Sequence, residues 1–223
     1  MLTRIDCVTI GVADLDAGIE AYRRIGFDVD AQGVARADGD RLELVRGKDG
    51  IRSVAIASDD PAADAKRGGA GWIDLVPPER APAGKHPNRV LRIERVYIAV
   101  KDLGAAVERY SRALGVAPKM ERGTVIHADM AIYPLGPTGL GLAQPVAPGV
   151  CADALERRGP GPFQILYRTA SMDAAAAWIA GHGLPPPVRG VRNTGEEAML
   201  VGPEYACGVY VGFVGPAQAA ARR

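Results

Sequence analysis

The stretch "RIDCVTIGVADLDAGIEAY" at residues 4–22 is restated as "RIERVYIAVKDLGAAVERY" at 92–110, a constant offset of 88. A strand and a helix written twice mean a chain assembled from repeated supersecondary units, each needing a neighbour to bury its apolar face. In the first copy Val8, Ile10 and Val12 alternate with Cys7, Thr9 and Gly11, the period of a strand with two unlike faces. Asp14 stands where a carboxylate can cap the following helix, Leu15, Ile19 and Tyr22 form its stripe, and Gly26 ends it. The second copy repeats each device with Val96, Ile98 and Val100, then Asp102, then Leu103, Val107 and Tyr110, then Gly115.

Short strand-like stretches follow each helix: "FDVDAQ", "GVARADG" and "RLELVRG" in the first unit, "TVIHADMAIYPLG" and "GLGLAQP" in the other. Each unit therefore reads β-α-β-β-β. Fainter copies begin at residues 51–69 and 163–184, the latter followed by "EAMLVG" and "GVYVGFVG"; the former is truncated, with only "GWIDLVPP" left as a strand. Proline and glycine gather in "VPPERAPAGKHPNR", predicting a linker near residue 85, and "PVAPG" with "RGPGPF" bracket a second connection. The fold class is α+β, with an N-terminal half over 1–85 and a C-terminal half over 90–216. The apolar face of each opening strand is expected to pack on its own helix. That leaves Cys7, Thr9, Ser53, Arg95, Tyr97, Gln164, Leu166 and Arg168 on the opposite, concave side.

Composition narrows the function. A formal net charge of +1 on 223 residues gives no general attraction to nucleic acid or anionic membranes, and 5% aromatics argue against a base-stacking surface. No apolar run approaches a membrane span and no signal segment opens the chain, so a cytoplasmic protein is expected. Cys7, Cys151 and Cys207 are odd in number and far apart, which suits reduced thiols rather than disulfides. The excess of Arg over Lys and the abundance of Ala are associated with a GC-rich bacterial source.

Tandem β-α-β-β-β units opening with "VTIGVADLD" and "VYIAVKDL" resemble the vicinal oxygen chelate superfamily of glyoxalases, bleomycin-resistance proteins, fosfomycin-resistance enzymes and extradiol dioxygenases. "KHPNRVLRIERVYIAV" looks like the join of its glyoxalase-like members. The resemblance implies curled mixed sheets whose concave cups hold a small ligand, helices on the outer face, and cups that are often completed by homodimerisation. Metal-dependent members place a histidine on the mixed face of an opening strand and a glutamate on a last strand. Here the opening-strand positions carry Cys7, Ser53, Arg95 and Gln164, while Glu43, Asp74, Gly141 and Gly212 occupy the last-strand positions. A permanently protonated arginine repels a divalent ion, so the C-terminal cup is expected to hold no metal and to need no cofactor. Cys7, Glu43 and Asp74 remain candidate ligands for a metal in the N-terminal cup, against the reading of a small core thiol and an ion-paired strand glutamate.

On "VIHADMAIY", Val125, His127, Asp129, Ala131 and Tyr133 share one face, and the polar set is expected to line the C-terminal cup with Ile126, Met130 and Ile132 toward the helices. In that reading Arg95 and Arg168 orient a ligand carboxylate, phosphate or enolate, His127 serves as acid or base with Asp129 near it, and Tyr97, Gln164, Tyr133 and Tyr210 complete the pocket. The alternative is that protein carboxylates such as Asp129 neutralise the arginines, with His127 a hydrogen-bonded strand residue. Phosphate-loop and nucleophile-elbow spacings are absent. Three functions stay open: a metal-free binder that catalyses proton transfer, isomerisation or elimination; a metal-dependent lyase, isomerase or dioxygenase; and a non-catalytic drug or metabolite sequestration protein.

Overall fold

The computed structural model describes residues 1–79, 82–192 and 194–216. The N-terminal half runs β1 (Leu2–Val12), α1 (Leu15–Ile25), β2 (Val34–Arg36), β3 (Arg41–Arg46), β4 (Gly50–Ser58), α2 (Pro61–Ala65) and β5 (Ile73–Val76). These strands form a five-stranded sheet in the order β2-β3-β1-β4-β5. The C-terminal half runs β6 (Val90–Ala99), α3 (Leu103–Leu114), β7 (Lys119–Gly123), β8 (Ala128–Leu135), β9 (Thr138–Pro145), α4 (Val150–Arg158), β10 (Gly161–Thr169), α5 (Met172–Gly181), β11 (Val188–Val191), β12 (Glu197–Val201) and β13 (Tyr210–Val214). It forms an eight-stranded sheet in the order β11-β12-β13-β10-β6-β9-β8-β7.

The repeated devices act alike in both copies. The Asp14 carboxylate accepts from the Ala17 amide at 3.0 Å and Asp102 from that of Ala105 at 3.0 Å, while Gly26 and Gly115 end their helices with φ of 97° and 67°. Opening strands pair antiparallel, β1 with β4 and β6 with β10, and each lies parallel to a later strand of its own module, β1 to β3 and β6 to β9.

One core serves both halves. Val8, Ile10, Leu42, Val54 and Ile56 of the smaller sheet join Val96, Ile98, Tyr133, Leu142, Ile165 and Phe213 of the larger in a single apolar cluster with Ile19 and Tyr22 of α1, Tyr110 of α3 and Ile179 of α5. A second cluster sits on the opposite face of the larger sheet: Tyr97, Met130, Ile132, Leu166 and Tyr210, with Cys151 and Ala154 of α4.

Three elements were not legible. Strand β7, "KMERG", is a charged edge strand exposed along nearly its whole length, and β11, "VRGV", is short and mostly exposed. Neither needs an alternating pattern, since neither buries a face. Helix α4 has no side-chain cap, and its buried face is only Cys151 and Ala154. In the first unit "FDVDAQ" supplies only a bridge between Val29 and Ala35. The face reading of the β8 region is corrected outright. Residues 129, 131 and 133 do share a face, but Ala131 and Tyr133 point into the core under the helices, whereas Ala128, Met130 and Ile132 face the cup.

A buried carboxyl joins the halves. Asp40, in the turn before β3, accepts the Ile93 amide of β6 at 2.8 Å, and burial lifts its pKa to about 7, the Ile93 hydrogen bond opposing. The folded chain thus holds this proton above the pH at which the unfolded chain has lost it, so its contribution to stability is complete below about pH 4 and is lost as pH rises to about 7. Asp40→Asn keeps an acceptor for Ile93 and is expected to flatten the fall in melting temperature between about pH 4 and 7. An unchanged pH profile of the variant would show that Asp40 titrates normally.

Candidate functional site

The C-terminal cup is set by the pairing of β6 with β10. Tyr97 lies opposite Gln164 and Arg95 opposite Leu166, while on the flanking strands Gly139 and Gly141 lie beside Arg95 and Tyr97, and Gly212 beside Leu166. The two last glycines are required by close approach. A Cβ on Gly141 would stand 2.7 Å from the Tyr97 ring, and one on Gly212 would stand 3.0 Å from Gln164 Nε2. The floor is therefore filled from the opening strands, and the last strands leave room for them.

Arg95 lies over the Tyr97 ring, its guanidinium carbon 5.6 Å from the ring centre. Its Nη1 donates to the Tyr97 hydroxyl at 3.2 Å and to Glu121 Oε1 of β7 at 2.9 Å. Burial opposes its charge, and Tyr97 with Glu121 outweighs burial, leaving the guanidinium pKa above its ordinary value. Two floor atoms are buried with no hydrogen-bond partner, Arg95 Nε and Gln164 Oε1, and Gln164 is only 4% exposed. A donor and an acceptor left unpaired on neighbouring strands cost free energy that a ligand can recover.

Arg168 answers the question of its anion differently. A bulge skips Glu94 in the β6–β10 register, and the Glu94 carboxylate takes Arg168 Nε at 3.0 Å and Nη2 at 2.8 Å in a forked pair. Arg168 Nη1 reaches Glu196 at 2.7 Å, Glu196 holds Arg192 at 2.8 Å, and Arg92 joins Glu94 at 2.9 Å. Burial disfavours the Glu94 carboxylate, and Arg168 and Arg92 outweigh it, so its pKa falls below the usual range. This corrects the expectation that Arg168 receives a ligand anion: its donors are taken by protein.

The expected acid–base pair lies elsewhere. His127 sits in the turn before β8 with φ of 49°, exposed, its Nδ1 2.7 Å from the Pro148 carbonyl oxygen. Asp129 is forked to Arg122 at 2.6 and 2.9 Å on the edge pair β7–β8, which holds its pKa below the ordinary carboxylate value. Tyr133 points away from the cup, hydrogen-bonded to Ser111 at 3.0 Å and donating to the Val107 carbonyl at 3.1 Å on α3. Tyr210 does join the cup-side cluster, beside Phe163.

The mouth is a cleft of about 60 Å³ between the two edges of the sheet, lined by Glu121, Thr124 and Ile126 on one side and Arg192 and Thr194 on the other, with Tyr97 below. Helix α4 closes one end, the Cys151 thiol contacting the Ala143 carbonyl at 3.5 Å. Sequence reasoning missed both Glu121, which lies on an unpatterned edge strand, and the α4 plug.

In the N-terminal sheet Cys7 is buried and its thiol is pushed up to about 12 by burial and by Glu43. Glu43 is bonded to Arg41 at 2.7 Å, and Asp74 lies across β4, opposite Ala55. Among the described residues no group of three His, Cys, Asp or Glu side chains converges on a point that could hold a metal ion. In the C-terminal cup the metal-ligand positions carry a guanidinium, an amide and two glycines, a donor set that does not fit a divalent ion.

Residues 94–201 match the model of the Glyoxalase/Bleomycin resistance protein/Dioxygenase superfamily. Methylmalonyl-CoA epimerase from Mycobacterium tuberculosis is 26% identical with a TM-score of 0.53, covering 60% of this chain and 94% of its own. A Streptomyces coelicolor methylmalonyl-CoA epimerase variant in complex with 2-nitronate-propionyl-CoA is 28% identical with a TM-score of 0.50, over 58% and 96%. A triple variant of 4-hydroxymandelate synthase from Streptomyces coelicolor shares the fold over 97% of this chain and 93% of its own, with a TM-score of 0.71 at 15% identity. A comparison with curated proteins finds no match. No helix of the described residues is long and apolar enough to cross a membrane.

The ion network gives a direct test. Glu94→Gln leaves Arg92 and Arg168 short of charge in a half-buried site and is expected to lower unfolding free energy by about 1–3 kcal/mol in urea melts. Asp129→Asn, at an exposed pair, is expected to leave the urea midpoint where it was. Equal effects would mean that the Glu94 network contributes no more than a surface pair.

Proposed function

From the match of residues 94–201 to the glyoxalase/bleomycin resistance protein/dioxygenase superfamily, we propose a member of that superfamily that binds a small polar or anionic organic molecule in the C-terminal cup, directly on Arg95 and Gln164 and without the superfamily's usual divalent ion. The observation that carries this reading is the unpaired couple on the cup floor, Arg95 Nε as donor and Gln164 Oε1 as acceptor. A carboxylic acid, an α-hydroxy acid or a primary amide presents the complementary acceptor and donor side by side. Tyr97 and Tyr210 supply aromatic walls, and Met130, Ile132 and Leu166 an apolar lining.

The reading is of binding rather than turnover. His127 and Asp129 are engaged outside the cup by Pro148 and Arg122, and Glu121 at the mouth is engaged by Arg95. Those contacts favour sequestration over general acid–base chemistry. The cleft above the floor, about 60 Å³ and open to solvent between the β7 and β11 edges, limits the ligand to a small molecule.

Lactate, acetate and propionamide serve as probes. Lactate is expected to shift the Arg95 Nε–H resonance saturably, with Gln164→Leu weakening it at least about tenfold, as loss of one buried hydrogen bond requires. His127→Ala is expected to leave the affinity within about twofold. No saturable shift with any of the three, or equal binding by Gln164→Leu, would sink the proposed site.

A further inference from the structure

A second cavity lies where the two halves meet, remote in chemistry from the cup floor. It spans about 320 Å³ and is lined by Lys48 and Asp49 from the β3–β4 connection, Arg52 of β4, Trp72 ahead of β5, Arg158 at the end of α4, and Phe163 near the start of β10. That volume lies at the lower end of the range for small-molecule sites.

Its cations differ from the arginines around the cup. Arg95, Arg122, Arg168 and Arg192 are each matched by a carboxylate. Lys48 and Arg52 form no ion pair among the described residues. The one acid in the lining, Asp49, has its carboxylate engaged by the Ala13 amide at 2.9 Å. Arg158 is held as a strut, donating to the Asp49 backbone carbonyl and wedged against Gly50 and Gly208. It adds positive potential without being free to turn away.

The aromatic component is equally placed. Trp72 is 40% exposed, among the larger apolar side chains left open to solvent, and its ring lies against Gly161, where a Cβ would stand 3.2 Å from it. The ring thus packs against the backbone of the C-terminal half while its residue belongs to the N-terminal half. An indole lining the same groove as two cations without ion partners offers stacking and charge attraction together.

We infer that this groove is a binding site for a small organic anion carrying an aromatic ring, the ring on Trp72 and the anionic group on Lys48 and Arg52. The site is separate from the proposed cup ligand, and neither depends on the other. Because the groove joins the halves, its occupant would bridge them.

Phenyl phosphate carries both features, inorganic phosphate only the charge and phenol only the ring. The chain has two tryptophans, Trp72 and Trp178, so two indole N–H resonances report binding, with Trp178, donating to the Arg23 carbonyl, as internal reference. Phenyl phosphate is expected to shift the Trp72 signal saturably with half-saturation below about 5 mM, at least about tenfold tighter than phosphate or phenol. Arg52→Glu is expected to weaken it about tenfold or more, and Trp72→Leu, followed by the phosphorus resonance of phenyl phosphate, to do the same, while Arg95→Met leaves it unchanged. No saturable shift with phenyl phosphate, equal affinity of phosphate or phenol, or retained binding in Arg52→Glu would overturn the inference. Altered binding in Arg95→Met would move the ligand to the cup and overturn it as well.

Discussion

The antiparallel pairing of β6 with β10 is the constraint from which the rest of the C-terminal half follows. It sets Arg95 and Tyr97 next to Gln164 and Leu166 on one face, and Val96 and Ile98 next to Ile165 on the other. One face is thereby committed to the core under the helices and the other to the cup. The same pairing contains the bulge that turns Glu94 toward Arg168. A single irregularity of register thus decides that Arg168 is neutralised by protein, while Arg95 keeps a free Nε.

Much of this was legible because repetition carries its own check. The Asp14 and Asp102 caps, the left-handed Gly26 and Gly115 stops and the two-faced opening strands recur at one offset, and each plays the same part in the two copies. The mixed-face positions Arg95, Tyr97, Gln164 and Leu166 were placed correctly for the same reason. A strand of fixed period leaves only two assignments, and the helix stripe selects one.

The polarity of "HADMAIY" misled for a physical reason. Residue 127 is in a left-handed turn conformation, so the strand begins at Ala128, and Asp129 stands near its start, one strand in from the edge strand β7, forked to the exposed Arg122. Polar residues near an edge say little about which side holds the cup. Partners of charge were likewise hidden. Glu121, Glu94 and Glu196 meet Arg95 and Arg168 only through strand neighbours and a turn that no local pattern specifies. Helix α4 escaped notice because a helix that buries only Cys151 and Ala154 needs no wide apolar stripe.

The proposed function rests on the donor set of the cup floor, a guanidinium and an amide with two glycines beside them, which suits hydrogen bonds to an organic ligand better than coordination of a divalent ion. The most direct test is elemental analysis of tag-free protein purified without chelators and then incubated with manganese, iron, cobalt, nickel and zinc. The account predicts less than about 0.1 equivalent of any of them after desalting, because the donor set offers none of them a ligand cage. Near one equivalent of a single metal, lost from Cys7→Ser or from Arg95→Met, would contradict it.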